Sequence, residues 1–186
     1  MRIALTGAMG AGKSAALEIF ASHKNVKCFN SDVICKEFLD KDESIKSKVK
    51  TLLGDEVYDE AGIAKKSLIA QKVFSDKSLL EVYEEILHER LIAEILADDS
   101  KEIHIYEISL LYEKGLEKFF DICLSVFCSE QMRLKRLSER TLEKMTQRDL
   151  FQIDAYKKAT LANIVLFNET TLLFLEKQIE KVLNKL

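Results

Sequence analysis

The chain has 186 residues, of which 47% are hydrophobic and 32% charged, with a formal net charge of −3. This is an ordinary globular mixture, long enough for one α/β domain with insertions and a buried core. No run of Lys and Arg favours a nucleic-acid partner, and no apolar stretch approaches the roughly 18 residues that would predict a membrane span.

Arg2-Ile3-Ala4-Leu5-Thr6 reads as a short buried strand, and its start at residue 2 predicts no signal peptide. Gly7-Ala8-Met9-Gly10-Ala11-Gly12-Lys13-Ser14 follows and fits G-x-x-x-x-G-K-[ST] at every fixed position. Ser14 to Ser22 reads as a helix with Leu17, Ile19 and Phe20 apolar. A strand, a glycine loop and a helix in that order are what a phosphate cradle needs. The glycines let backbone N–H groups turn inward, and the helix N-terminus adds positive dipole at the same spot. Lys13 can reach the β- and γ-phosphates of a nucleoside triphosphate, and the Ser14 hydroxyl can hold Mg²⁺. Lys13 is read here as a loop charge with no core to support.

Val26 to Phe29 reads as the second strand, which ends at the polar cluster Asn30-Ser31-Asp32. A carboxylate at a strand end on the phosphate-loop edge can take a proton from an attacking hydroxyl, orient it, or hold a magnesium-bound water. Asp32 serves equally as a helix N-cap, so both roles stand. Helices are predicted over 33–39, 44–53, 67–74 and 78–96, with 54–62 the least regular stretch. In the last of these helices Leu79, Val82, Tyr83, Ile86, Leu87 and Leu91 repeat about every 3.6 residues. His88 on that helix reads as structural. Residues 33–97 thus form a helical insertion between two strands.

Residues 103–108 and 121–127 are nearly continuous apolar runs, as expected of strands buried on both faces. Glu107 is a minor candidate for placing a metal. Residues 129–137 read as a basic helix, and spacings of three and four put Arg133, Arg136 and Arg140 on one face, followed by Arg148 and Gln152. Such a group suits phosphate oxygens, and the polar stretch it opens predicts a lid. Residues 163–167 are the fifth strand and 170–186 an amphipathic final helix. Alternating strands and helices predict an α/β fold with a parallel five-stranded sheet, binding its ligand beyond the carboxyl ends of the strands.

Cys28, Cys35, Cys123 and Cys128 include no C-x-x-C pair, and no His pair stands near them at zinc spacing. Reduced, buried thiols are expected for Cys28 and Cys123, which points to a reducing compartment and a cytoplasmic chain. Proline is absent, so the loops lack a common stiffening device.

Together the residues resemble the dephospho-coenzyme A kinase family over nearly the full length. Residues 5–14 resemble its opening, and Asn30-Ser31-Asp32 its Asp-Ala-Asp. Gly62 through Lys66 with Val73-Phe74 resemble its second-domain signature, and Ile86-Leu87-His88 its Ile-x-His-Pro. Ser109-Leu110-Leu111-Tyr112-Glu113-Lys114-Gly115 resembles its Pro-Leu-Leu-Phe-Glu-x-Gly. Arg136 with Arg140 and Arg148 with Gln152 resemble its lid, while Lys158, Ala162-Asn163 and Asn168 resemble its closing Lys, Ala-Asp and Asn. The phosphate loop alone is widespread; the 109–115 stretch with the lid spacing is far more specific. The chain departs from the pattern at Ala15 (a Thr in the family), Asn30 and Asn163 (acids), Glu89 and Ser109 (prolines), and in a shorter lid.

The resemblance implies a P-loop NTPase fold in three parts. These are a nucleotide core (1–32, 98–132 and 159–186), a helical insertion for the coenzyme substrate (33–97) and a lid (133–158). It implies transfer of the γ-phosphate of ATP to the 3′-hydroxyl of dephospho-coenzyme A, with Mg²⁺ on Ser14. Asp32, Lys13 and Arg140 would be catalytic. Gly10, Ala11, Gly12, Lys13, Ser14, Ala15 and Arg136 would hold the nucleotide. The alternatives are another small-molecule kinase of this fold and a nucleotide-binding regulator that has lost catalysis. Oligomeric state is not legible.

Overall fold

The computed structural model describes residues 1–136 and 152–186. They cluster into two units, Met1–Asn30 with Ser100–Leu186, and Ser31–Asp99. In chain order the strands are β1 (Arg2–Thr6), β2 (Val26–Asn30), β3 (Ile103–Glu107), β4 (Ile122–Phe127) and β5 (Ile164–Phe167). The helices are α1 (Lys13–Ala21), α2 (Ser31–Lys41), α3 (Glu43–Leu53), α4 (Lys66–Ser75), α5 (Lys77–Ala97), α6 (Glu130–Arg136), α7 (Ala155–Leu161) and α8 (Leu172–Leu183).

In the first unit the five strands pair in parallel in the order β2-β3-β1-β4-β5. β1 is central, and Ile3, Ala4, Leu5 and Thr6 have no exposed surface. That is why its sequence is an apolar run and not an alternation. Ile3 and Leu5 join Phe20 of α1, Leu124 of β4, Leu166 of β5, and Leu175 and Ile179 of α8 in one core cluster. The last helix earns its place with an apolar stripe of Leu175, Ile179 and Val182, all buried. Elsewhere on the sheet Phe29 stacks on Tyr106 at 4.8 Å between centroids, and Tyr106 meets Phe120 at 5.9 Å. β1 pairs with β3 on one side and β4 on the other, so the chain builds β2 and β3 on one side of β1 and then crosses to the other side for β4 and β5. The crevice beyond the carboxyl end of β1 is therefore the switch point where such sheets bind ligands.

The second unit is helical. Asp42 caps α3 by accepting from the N–H groups of Ser44 and Ile45, and its other oxygen binds Arg90 of α5 at 2.7 Å. The Arg90 guanidinium also lies 4.5 Å over the Phe38 ring and pairs with Glu94. Phe38, Ile45, Val49, Leu53, Ile69, Val73, Leu87 and Leu91 are buried. The periodic face expected of α5 packs inward at all but one position, with Leu79, Tyr83 and Ile86 half-buried. Leu87 and Leu91 are buried, joined by Ile92 and Ile95, whereas Val82 is 43% exposed. Among the described residues no helix is long and apolar enough to cross a membrane.

Candidate active site

The loop after β1 takes its shape from close backbone packing. Gly7 has φ +148°, and a Cβ there would lie 2.4 Å from the carbonyl oxygen of Val126 on β4. The Val126 carbonyl belongs to the backbone of β4 and cannot give way. Gly7→Ala is expected to cost about 2 kcal/mol or more of stability. Denaturant unfolding of the two proteins checks this, and an unchanged midpoint would refute the packing account.

Gly12 is the N-cap of α1, with φ +98° and no side-chain cap. A Cβ on it would meet the Asn168 side chain. Asn168 is buried, donates its Nδ2 to the Ala11 carbonyl at 2.9 Å, and donates its backbone N–H to Phe127 at the end of β4. It braces the far side of the loop, a role that the sequence did not reveal. Ala11 N–H also bonds Ala8 within the loop at 3.1 Å.

Lys13, read from the sequence as a loop charge with no core to support, is the first residue of α1. It is only 9% exposed, and its ammonium donates to the carbonyls of Gly7 at 2.9 Å and Ala8 at 3.3 Å. The cation thus ties the start of α1 back to its own loop. Ser14, one residue on, is exposed, and Ala15 is half-buried. Below the loop, Thr6 Oγ1 and Ser125 Oγ, in register on β1 and β4, are buried with no hydrogen-bond partner among the described residues.

The arginines divide the site. Arg133 is 6% exposed and lines a cavity of about 310 Å³ together with Ala8 of the loop and Gln152. Arg136 is exposed and lines a second cavity, also about 310 Å³, with Gly12, Ala15, Asn168, Thr170 and Leu172. So each of the two lines a cavity beside the phosphate loop. Arg136 donates to Cys128 Sγ at 3.4 Å. Burial raises the Cys128 thiol pKa, against the opposing pull of the Arg136 charge. Arg140 and Arg148 lie outside the described residues.

Asp32 stands in the first turn of α2, because the helix begins at Ser31 directly after β2 ends at Asn30. It neither ends the strand nor precedes the helix as an N-cap. Its exposed carboxylate is favoured there by the helix dipole. One turn on, burial pushes the Cys35 thiol up to about 12, with the charges of Asp32 and Glu94 adding to the effect. Asn30 donates its Nδ2 to Glu107 at 3.0 Å. An acid at position 30 would set two carboxylates against each other, and Asn makes the contact a hydrogen bond instead. Glu107 is buried at the end of β3. Among the described residues no three His, Cys, Asp or Glu side chains gather as a metal site. His88 sits half-buried on α5.

Glu113 and Lys158, singled out in the sequence without a role, form a buried ion pair at 3.0 Å. A further departure, Asn163, accepts from the Cys123 N–H at 2.7 Å and returns its own N–H to the Cys123 carbonyl. It registers the start of β5 against β4.

A family model described as dephospho-CoA kinase matches residues 1–173. A Protochlamydia amoebophila protein named dephospho-CoA kinase is 32% identical, over 100% of this chain and 96% of that one. A solved Thermus thermophilus structure matches with a TM-score of 0.80 and 28% identity, over 100% of this chain and 97% of that one. A dephospho-CoA kinase structure from Campylobacter jejuni shares the fold with a TM-score of 0.73 and 21% identity, over 99% and 96% of the two chains.

Proposed function

The chain belongs to the dephospho-CoA kinase family, and from that premise we propose that it phosphorylates the 3′-hydroxyl of dephospho-coenzyme A with ATP. The products are coenzyme A and ADP. The observation that carries this reading is the loop itself, with Lys13 drawn into it and Arg136 lining the cavity beside Gly12 and Ala15. In the reaction the 3′-oxygen bonds to the γ-phosphorus, the bond from that phosphorus to the β–γ bridging oxygen breaks, and the hydroxyl proton leaves to a base.

Each part of the chain has a proposed task. Residues 1–32, 98–132 and 159–186 hold the nucleotide, 33–97 hold the coenzyme acceptor, and 133–158 act as the lid. The backbone of Gly10, Ala11 and Gly12 and the ammonium of Lys13 bind the phosphates. The half-buried Ala15 and the Arg136 guanidinium line the cavity that takes the rest of the nucleotide. Ser14 has the exposed hydroxyl to hold Mg²⁺, which when bound neutralises charge developing on the phosphates. Asp32 is the base for the 3′-hydroxyl, and Arg140 is the lid charge over the γ-phosphate. The four free thiols suit a reducing cytoplasm.

The direct test is ADP release by the purified protein with and without dephospho-coenzyme A. Release that depends on the acceptor is expected; ATP binding without acceptor-dependent release would favour a lapsed, nucleotide-binding regulator. Arg136→Ala separates contact from scaffold. The residue is exposed, so stability should stay within about 0.5 kcal/mol, while the KM for ATP rises about tenfold as a guanidinium–nucleotide contact is lost. A fall in melting temperature with unchanged kinetics would make Arg136 structural.

A further inference from the structure

Lys158 has no exposed side-chain surface, and Glu113 retains 9%. An ammonium wholly out of water persists only when paired and hydrogen-bonded. Lys158 meets both needs, with Glu113 Oε1 at 3.0 Å and the carbonyl of Ser109. The same Glu113 oxygen accepts the backbone N–H of Ile153 at 2.9 Å.

These bonds tie two segments far apart in sequence. One is the loop that follows β3 at the carboxyl edge of the sheet. The other is the turn into α7, which Asp154 caps by accepting from the Lys157 N–H. Residues 152–156 of that turn form one wall of the cavity whose other wall includes Ala8 of the phosphate loop and the buried Arg133. The ion pair therefore sets how far that wall stands from the phosphates.

Stability alone does not call for such a pair, since well-packed apolar side chains of similar volume often do as well. A directional tie does something an apolar contact cannot, because it fixes the turn against a named oxygen. We propose that Glu113 and Lys158 are positioning residues for phosphoryl transfer, holding residues 152–156 at the working distance from the phosphate loop. The proposal rests on the kinase reading above. Transfer is sensitive to placement, and a displacement of about 1 Å can cost about 10²-fold in rate.

The test uses the full chain carrying Glu113→Gln and Lys158→Met together. This removes both charges without leaving either one buried alone, and Gln keeps an acceptor for Ile153. The expected result is a fall in kcat of about tenfold or more, with a KM for ATP near the parental value. Amide exchange at Ile153 should quicken, because a neutral amide oxygen accepts more weakly than the carboxylate, while the melting temperature stays near that of the parent. A double variant with parental kcat would overturn the proposal, as would an activity loss that only tracks loss of folded protein. If the double variant does not fold, Glu113→Gln alone is assayed at low temperature, where the same split of kcat from KM is expected and a parental kcat is equally fatal. The parental protein in the same assay distinguishes the two failures. No acceptor-dependent turnover by the parent defeats the kinase reading and the positioning claim with it, whereas an active parent beside an equally active variant defeats positioning only.

Discussion

Lys13→Ala is expected to remove nearly all phosphoryl transfer, lowering kcat by about 10³-fold or more. Losing one preorganised donor to developing charge typically costs about 10²–10³-fold, and here the donor is a full cation at the N-terminus of α1. The structure adds a second consequence. The ammonium donates to the Gly7 and Ala8 carbonyls, both in buried residues. Truncation leaves these acceptors without that donor, a loss of about 1–3 kcal/mol. The variant should therefore fold with a lowered melting temperature and bind ATP weakly. Single-turnover assays at saturating ATP and at a temperature where the variant is folded separate the two effects. Near-parental turnover under those conditions would end the triphosphate-transfer reading.

The strands were legible because runs such as Ile122–Phe127 are largely buried and apolar, with Ser125 the single polar residue among them. The phosphate loop was legible because its glycines serve backbone geometry, which the sequence displays directly. What the sequence hid is pairing across distance. Asn168 braces the loop through Ala11, 157 positions away, and only the order of the sheet brings β5 back beside that loop. Glu113 and Ile153 are 40 apart for the same reason. Helical spacing put Arg133 and Arg136 on one face but could not say what packs there, so the burial of Arg133 went unseen. The polar cluster Asn30-Ser31-Asp32 reads as a strand end because polar residues suit that position. Ser31 begins the helix at once, and that moves Asp32 into its first turn.

This placement sharpens the test of Asp32. Within the first turn its carboxylate helps the helix only through the dipole, a contribution of about 0.3–1 kcal/mol at an exposed site. Asp32→Asn keeps the side chain's shape and removes both charge and basicity. General-base assistance is typically worth about 10²–10⁴-fold, so a fall of that order in transfer to dephospho-coenzyme A is expected. Stability should drop by no more than the dipole contribution. A base would act on the acceptor, so ATP affinity should be nearly unchanged. Were the carboxylate instead holding a magnesium-bound water, the variant would need more Mg²⁺ to bind ATP, and titrating Mg²⁺ in the same assay tells the two apart. Neutralising residue 32 also removes one of the charges that raise the Cys35 thiol, so that thiol should titrate lower than its present value of about 12. That shift reports the lost charge independently of catalysis. If Cys35 shifts while turnover at saturating Mg²⁺ stays parental, Asp32 contributes charge to a helix end and nothing to the reaction, and the base must be sought elsewhere.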